Sequence, residues 1–248
     1  MGLFGKTRYL DPDIEDWCLE TWGWLMANLG GIERLRRTPL AAPTPEFFPP
    51  TAAQGHERAL YLFERVKTLM GMADMPARLE AFERPPARQR LGLFGKEEIE
   101  SAPGGSFRLD GDTLVIGYAS DLVGRPETLI VTLSHELARG LVESIRKPIP
   151  GGGEFRELAS ELALAFAGFG LFGVRGAYKP AQSRNPFAQR GITFSEPIWA
   201  FALALFAAMK GIEAPVGALG AVPADLTLKA ERYFKRNQDL LAPLRAIA

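Results

Sequence analysis

The chain has 248 residues, 47% of them hydrophobic and 23% charged, enough to bury a substantial core as a single domain. Lys+Arg and Asp+Glu both total 29, so the formal net charge is zero and the electrostatic footprint of a nucleic-acid binder is missing; the densest basic run is Arg34 to Arg37 around Leu35. The one cysteine, Cys18, excludes an intramolecular disulfide and fits a reducing compartment, and residues 1–7 carry neither an apolar signal core nor a myristoylation pattern, so a soluble, cytoplasmic protein is expected.

In chain order, a first helix is expected over 13–29, with Asp11 or Asp13 near its N-cap, Trp17, Trp24 and Leu25 on its apolar side, and Gly30-Gly31 ending it. Residues 38–51 hold five prolines interleaved with Phe47 and Phe48, which predicts an extended segment pinned to the body by its aromatics. A second helix over 53–70 places Leu60, Phe63, Val66, Lys67 and Met70 on one buried face, with His56 near its start. Residues 78–84 read as a strand, and 106–117 as a hairpin turning at Asp110-Gly111-Asp112.

The next helix opens at Arg125-Pro126-Glu127-Thr128, with proline in the first turn and a carboxylate at the positive end of the helix dipole. Leu129, Leu133, Leu137 and Leu141 or Val142 form its core-facing stripe. The following Gly151-Gly152-Gly153 run lacks the lysine of a phosphate loop and reads as an interhelix connector. A second helix begins near Glu154 and is expected to dissolve at Gly168-Phe169-Gly170. Residues 175–191 form a polar loop long enough to fold over a cleft. Ser195-Glu196-Pro197 starts an apolar helix ended by Gly211, and Pro223-Ala224-Asp225 starts a last amphipathic helix reaching about Asp239. The apolar runs 162–174 and 198–209 fall short of the roughly 20 residues of a spanning helix, so they read as core helices and no membrane insertion is expected. The pentapeptide Gly-Leu-Phe-Gly-Lys occurs at 2–6 and again at 92–96, without a physical account.

Chemistry concentrates in Thr132-Leu133-Ser134-His135-Glu136-Leu137-Ala138-Arg139, four fifths of the HExxH helix of zinc peptidases. In HExxH two histidines one turn apart bind zinc and the glutamate takes a proton from the metal-bound water. Here the second histidine is Arg139, whose guanidinium stays protonated and offers only donors. Downstream, Glu157 and Glu161 stand one turn apart on the second helix. Other catalytic inventories fail: there are two histidines, one cysteine and no GxSxG, and Glu136 with Glu161 as a carboxylate pair has nothing beside it that identifies a glycan. His56 is a possible further metal ligand, but beside Glu57 and Arg58 it reads as a solvent-facing residue.

The order of hairpin, His135-Glu136-Leu137-Ala138, glycine loop and the acidic helix 157–170 resembles a group of bacterial zincin-like, HExxH metallopeptidase-like proteins of unassigned function. Members of that group read HELAH followed by a helix resembling ELxTDLxAVFxGFG. Shorter likenesses lie at 16–31, 44–50, 62–66 and 199–206, so the resemblance spans most of the chain. It implies one α+β, predominantly helical domain over 1–248: an N-terminal helical part (1–75), a core of hairpin or small sheet with the HExx helix and a second acidic helix (76–174), and a loop with C-terminal helices (175–248). It carries His135 to the first zinc-ligand position, Glu136 to the general base and Glu161 to the acidic ligand, usually aspartate. Two departures fall on the chemistry, Arg139 for histidine and Ser160-Glu161 for Thr-Asp.

The expectation is therefore a noncatalytic, degenerate zincin-like protein without a cofactor. Burying a carboxylate alone costs several kcal/mol, of order the penalty for an unpaired buried ion. Arg139 is accordingly expected to take the metal's place and pair with Glu161, with Glu157 or Glu136 as further partners. The old cleft would bind a peptide or protein partner. The alternative is an active zinc-dependent hydrolase using His135, Glu161 and a third ligand, with Glu136 as base.

Overall fold

A computed structural model describes residues 8–84, 88–91, 97–100, 104–177 and 194–248. The protein is α+β and mostly helical. Helix α1, Pro12–Leu29, starts where the Asp11 carboxylate accepts the Asp13 N–H, and ends at Gly30, whose φ of 97° only glycine adopts without strain. Sequence reading stopped there, but the chain re-enters a helix at once, α2 (Gly31–Arg37). Its C-terminal carbonyls are satisfied from a distant helix: Lys210 Nζ donates to Leu35 O at 3.1 Å, to Arg36 O at 2.8 Å and also to Thr38 O.

The proline-rich connector is held down as its aromatics predict, with Phe48 edge-on to Phe172 at 5.9 Å. Polar contacts add to this. Arg65 donates two hydrogen bonds to Phe47 O (3.0 and 2.7 Å), and the Tyr61 hydroxyl donates to Pro49 O at 3.0 Å. Both donors come from α3, Gly55–Leu69. The buried face of α3 is Ala59, Leu62, Phe63, Val66, Lys67 and Leu69, while Leu60 is 43% exposed. The expected inward position of Leu60 is thus corrected: the stripe that starts at Ala59 runs through 62, 63 and 66, and leaves residue 60 about 100° away. Lys67 fits in the core because its ammonium lies 5.6 Å over the Phe63 ring and 3.5 Å from Glu64.

Strands β1 (Ala77–Phe82), β4 (Gly105–Asp110) and β5 (Thr113–Ala119) form a sheet of order β1-β5-β4. The hairpin pairs Asp110 with Thr113 across the two-residue turn Gly111-Asp112, and Gly111 supplies the positive φ of 60°. Strand β1 pairs parallel with β5, Leu79 beside Ile116. A separate antiparallel pair, β2 (Arg88–Leu91) and β3 (Glu97–Glu100), lies between them in sequence.

Helix α4, Pro126–Ser144, lies across the sheet and carries the HExx segment. Its close approach depends on two missing side chains. A Cβ at Gly140 would come within 2.6 Å of Leu114, and one at Gly105 within 2.7 Å of Thr132 and 2.8 Å of Glu136 Oε1.

The chain returns through a short 3₁₀ turn, Gly153–Phe155, into α5 (Arg156–Leu164). The expected break at Gly168 is present: the helical path of α5 runs on through Ala165–Phe169, Gly168 leaves helical dihedrals at φ 86°, and α6 (Gly170–Ala177) follows across a kink. The kink frees the Gly168 carbonyl to accept the Ala41 N–H at 2.9 Å, and a Cβ there would sit 2.0 Å from Pro39 O. Glycine therefore both breaks the helix and lets the connector cross it. The merged stretch 153–176 is long and apolar enough to cross a bilayer by length and composition, yet 89% of its apolar window is buried by the rest of the chain. Helix α7 (Glu196–Lys210) packs beside it, followed by α8 (Ala221–Arg236) and α9 (Ala242–Arg245). The core joins these helices through Trp22, Phe166, Phe169, Phe201, Phe206 and Phe234. Both copies of Gly-Leu-Phe-Gly-Lys, and residues 178–191 of the expected cleft loop, lie outside the described residues.

Candidate functional site

Three cross-helix contacts show how α4 and α5 meet. Glu143 pairs with Arg156, Arg139 Nη2 lies 2.9 Å from Glu157 Oε1, and His135 Nδ1 lies 3.5 Å from Glu161 Oε1. Residue numbers fall along α4 as they rise along α5, so the helices run antiparallel. Four-residue steps, 135–139–143 on α4 and 157–161 on α5, then bring polar side chains together turn by turn, and Arg156, next to Glu157, reaches Glu143.

This registry corrects the expected Arg139–Glu161 ion pair. Glu161 stands one turn, about 6 Å, further along α5 than Glu157 and opposite His135. Arg139 meets Glu157 instead, and Nη1 reaches back along its own helix to Glu136 Oε2 at 3.4 Å. The contact to Glu143 that the i,i+4 spacing would have allowed is taken by Arg156.

Burial deepens along the same line. The Arg139 and Glu157 side chains are 26% and 36% exposed, whereas His135 and Glu161 are 10% and 9% exposed and Glu136 is fully buried. Burial, and secondarily the Glu157 carboxylate, pushes the Glu161 carboxyl up to about 8. At neutral pH Glu161 is therefore mostly a protonated acid facing an imidazole. The ring of His135 also meets Trp199 of α7 edge-on, with centroids 6.3 Å apart. Trp199 contacts Phe194, which meets Trp17 of α1; Trp17 in turn packs on Phe155 and donates its indole N–H to Pro150 O at 2.9 Å. An aromatic wall thus runs from the glycine loop to His135. Glu136 occupies the other side, under the edge strand β4 at Gly105.

His56 is exposed at the start of α3, and its Nδ1 lies 3.0 Å from the Tyr118 hydroxyl, ring stacked on ring at 5.9 Å. It joins β5 rather than His135 and Glu161. Sequence reasoning missed the Glu143–Arg156 contact: one more four-residue step reaches Glu143 on α4 but Gly153 on α5, so the step does not find Arg156. It also missed Gly105 and Trp199, whose proximity to the motif comes from strands and helices distant in the chain and leaves no local signal.

A catalytic zinc takes three protein ligands and a water. Among the described residues the donor set does not complete one. His135 and Glu161 supply two ligands, the next turn of α4 presents a guanidinium already held by two carboxylates, and among the described residues no group of three His, Cys, Asp or Glu side chains is arranged around a common point. The chain matches no protein-family model, and comparisons with curated proteins and with solved structures found no match.

Proposed function

We propose that this chain is a noncatalytic zincin-like protein in which the Arg139 guanidinium supplies the positive charge of a lost metal and keeps α4 and α5 docked, leaving the cleft to bind a peptide or protein partner. The observation that carries this reading is the position of Arg139. It occupies the residue of the second metal-binding histidine and bonds Glu157 on one side and Glu136, the would-be general base, on the other. A general base locked to a permanent cation is poorly suited to take a proton from water. A peptide partner is favoured because, among the described residues, β4 ends its sheet and is mostly exposed beyond Gly105, and an edge strand can take up an extended chain through its backbone.

The test is elemental analysis of the purified chain after zinc loading and dialysis. Wild-type protein is expected to retain no stoichiometric zinc, whereas Arg139→His, which restores two imidazoles one turn apart with Glu161 nearby, is expected to retain one equivalent. Stoichiometric zinc in the wild type, with chelator-sensitive peptide hydrolysis abolished in Glu136→Gln, would overturn the proposal. It would establish instead the active hydrolase with His135 and Glu161 as ligands. Failure of Arg139→His to bind zinc would count against descent from a metal site.

A further inference from the structure

Away from the α4/α5 site, the segment 8–10 packs on α8 and leaves a cavity of about 510 Å³, a volume in the range of small-molecule sites. Arg8, Lys229, Arg232 and Arg236 line it together with the rings of Tyr9 and Tyr233. Two of the four cations are already matched. Arg8 pairs with Asp16 and lies 3.4 Å from Glu15, and Lys229 pairs with Asp225 at 2.7 Å. The other two are not. Among the described residues, Arg232 donates to Leu228 O of its own helix, at 3.1 Å, and neither it nor Arg236 has a carboxylate partner. Two guanidiniums one turn apart repel each other, and the charge of Asp239 also reaches this side of the cavity, where it acts on the Tyr233 hydroxyl.

Both tyrosine hydroxyls are committed inward, Tyr9 to Leu226 O at 3.0 Å and Tyr233 to Glu15 at 2.5 Å. They are not available to a ligand, so the tyrosines offer it ring surface. Tyr9 is backed by Phe201 at 6.0 Å and lies 6.2 Å from Tyr233, which makes the wall rigid. Two guanidiniums lining one cavity with two aromatic rings suit a compact dianion with an apolar or planar body. A monocarboxylate would engage one fork and leave the other unmatched.

We propose that this cavity is a binding site for a phosphomonoester, with Arg232 and Arg236 holding the phosphate and Tyr9 and Tyr233 flanking the group it esterifies. Arg232 and Arg236 are exposed, yet both line a concavity that also contains ring surface.

The test is titration calorimetry of the full chain with phenyl phosphate and with benzoate at low salt, and flotation with vesicles of phosphatidylcholine with and without phosphatidic acid. Saturable one-to-one binding of phenyl phosphate, stronger than benzoate, is expected. It should weaken at least about tenfold in Arg232→Gln and in Arg236→Gln, since each removes charge-assisted hydrogen bonds. Lys235→Gln, on the same helix but off the cavity lining, removes the same charge and is expected to leave binding unchanged. Phosphatidic-acid-dependent flotation lost in the arginine variants, without binding of soluble phenyl phosphate, would assign the same phosphate chemistry to a lipid headgroup. Absence of both, equal affinity for benzoate, or equal loss in Lys235→Gln would overturn the site.

Discussion

Replacing Arg139 by alanine removes two contacts of different worth. The arm to Glu157 joins two partly exposed groups, 26% and 36% accessible, and is worth about 1 kcal/mol or less after solvent screening. The arm to Glu136 is longer, 3.4 Å, but its acceptor is fully buried, and weakening the support of a buried carboxylate costs about 1 to 3 kcal/mol. The sum is about 1 to 4 kcal/mol, reaching the 3 to 5 kcal/mol of a wholly buried pair only at its upper end. For a chain of this length that corresponds to a fall in Tm of about 3 to 12 °C. Calorimetric melts at pH 7 should show it in Arg139→Ala and nearly as much in Arg139→Met, whose similar bulk separates charge from packing. Glu157→Gln should cost under about 1 kcal/mol. In a double-mutant cycle, Arg139→Ala with Glu136→Gln should cost less than the two singles added, because the remaining carboxylate is then neutralised. An unchanged Tm in Arg139→Ala would refute the role of the guanidinium in docking α4 to α5.

Glu161 makes a pH prediction. Its carboxyl holds its proton to about 8 when folded, against an ordinary value of 4.5, so between those limits the folded state binds more protons than the unfolded one. That contribution to stability is complete below 4.5 and is lost as pH rises through 8, by at most about 5 kcal/mol at 1.36 kcal/mol per pH unit. Glu161→Gln should flatten the profile in urea unfolding between pH 5 and 9, and a profile parallel to wild type would contradict the protonated carboxyl. Gly168→Ala should cost more than about 3 kcal/mol, adding backbone strain at φ 86° to the clash with Pro39 O, and should show as a large loss of Tm. A tolerated alanine there would mean that the connector does not cross the helix at that point. Gly105→Ala should cost about 1 to 3 kcal/mol by wedging β4 away from Thr132 and Glu136, and near-UV circular dichroism together with melting would register it.

Much of the helical framework is legible from local rules. Asp11 and Gly30 bound α1, Pro126 opens α4, and Gly211 ends α7 with a left-handed φ of 68°. Each is a property of a residue and its immediate backbone, so no knowledge of the fold is needed. The same holds for the turn at Gly111 and for the core stripe from Leu129 to Leu141. The break at Gly168 is legible too, but not what crosses there, the connector whose Ala41 N–H donates to the Gly168 carbonyl. The misreading of Leu60 has a tertiary cause. Leu60 has the right residue type for a buried position and the wrong angle, which is decided by where α3 sets its axis.

At the site, the residue types and their spacing were readable before any fold was known: His135 and Arg139 four apart on one helix with Glu136 between them, and Glu157 and Glu161 four apart on the next. From that, a charge cluster between two helices follows, because buried carboxylates require partners. Which carboxylate meets which partner does not follow. Sliding α5 by one turn would exchange Glu157 for Glu161 with little change in its apolar face, and only the packing of α4 against the sheet at Gly105 and Gly140, and of α6 against α7, fixes that slide. The sequence by itself thus determined that Arg139 would be held among acids. The tertiary structure decided that it is held by Glu157 and Glu136, and that Glu161 stands buried opposite His135.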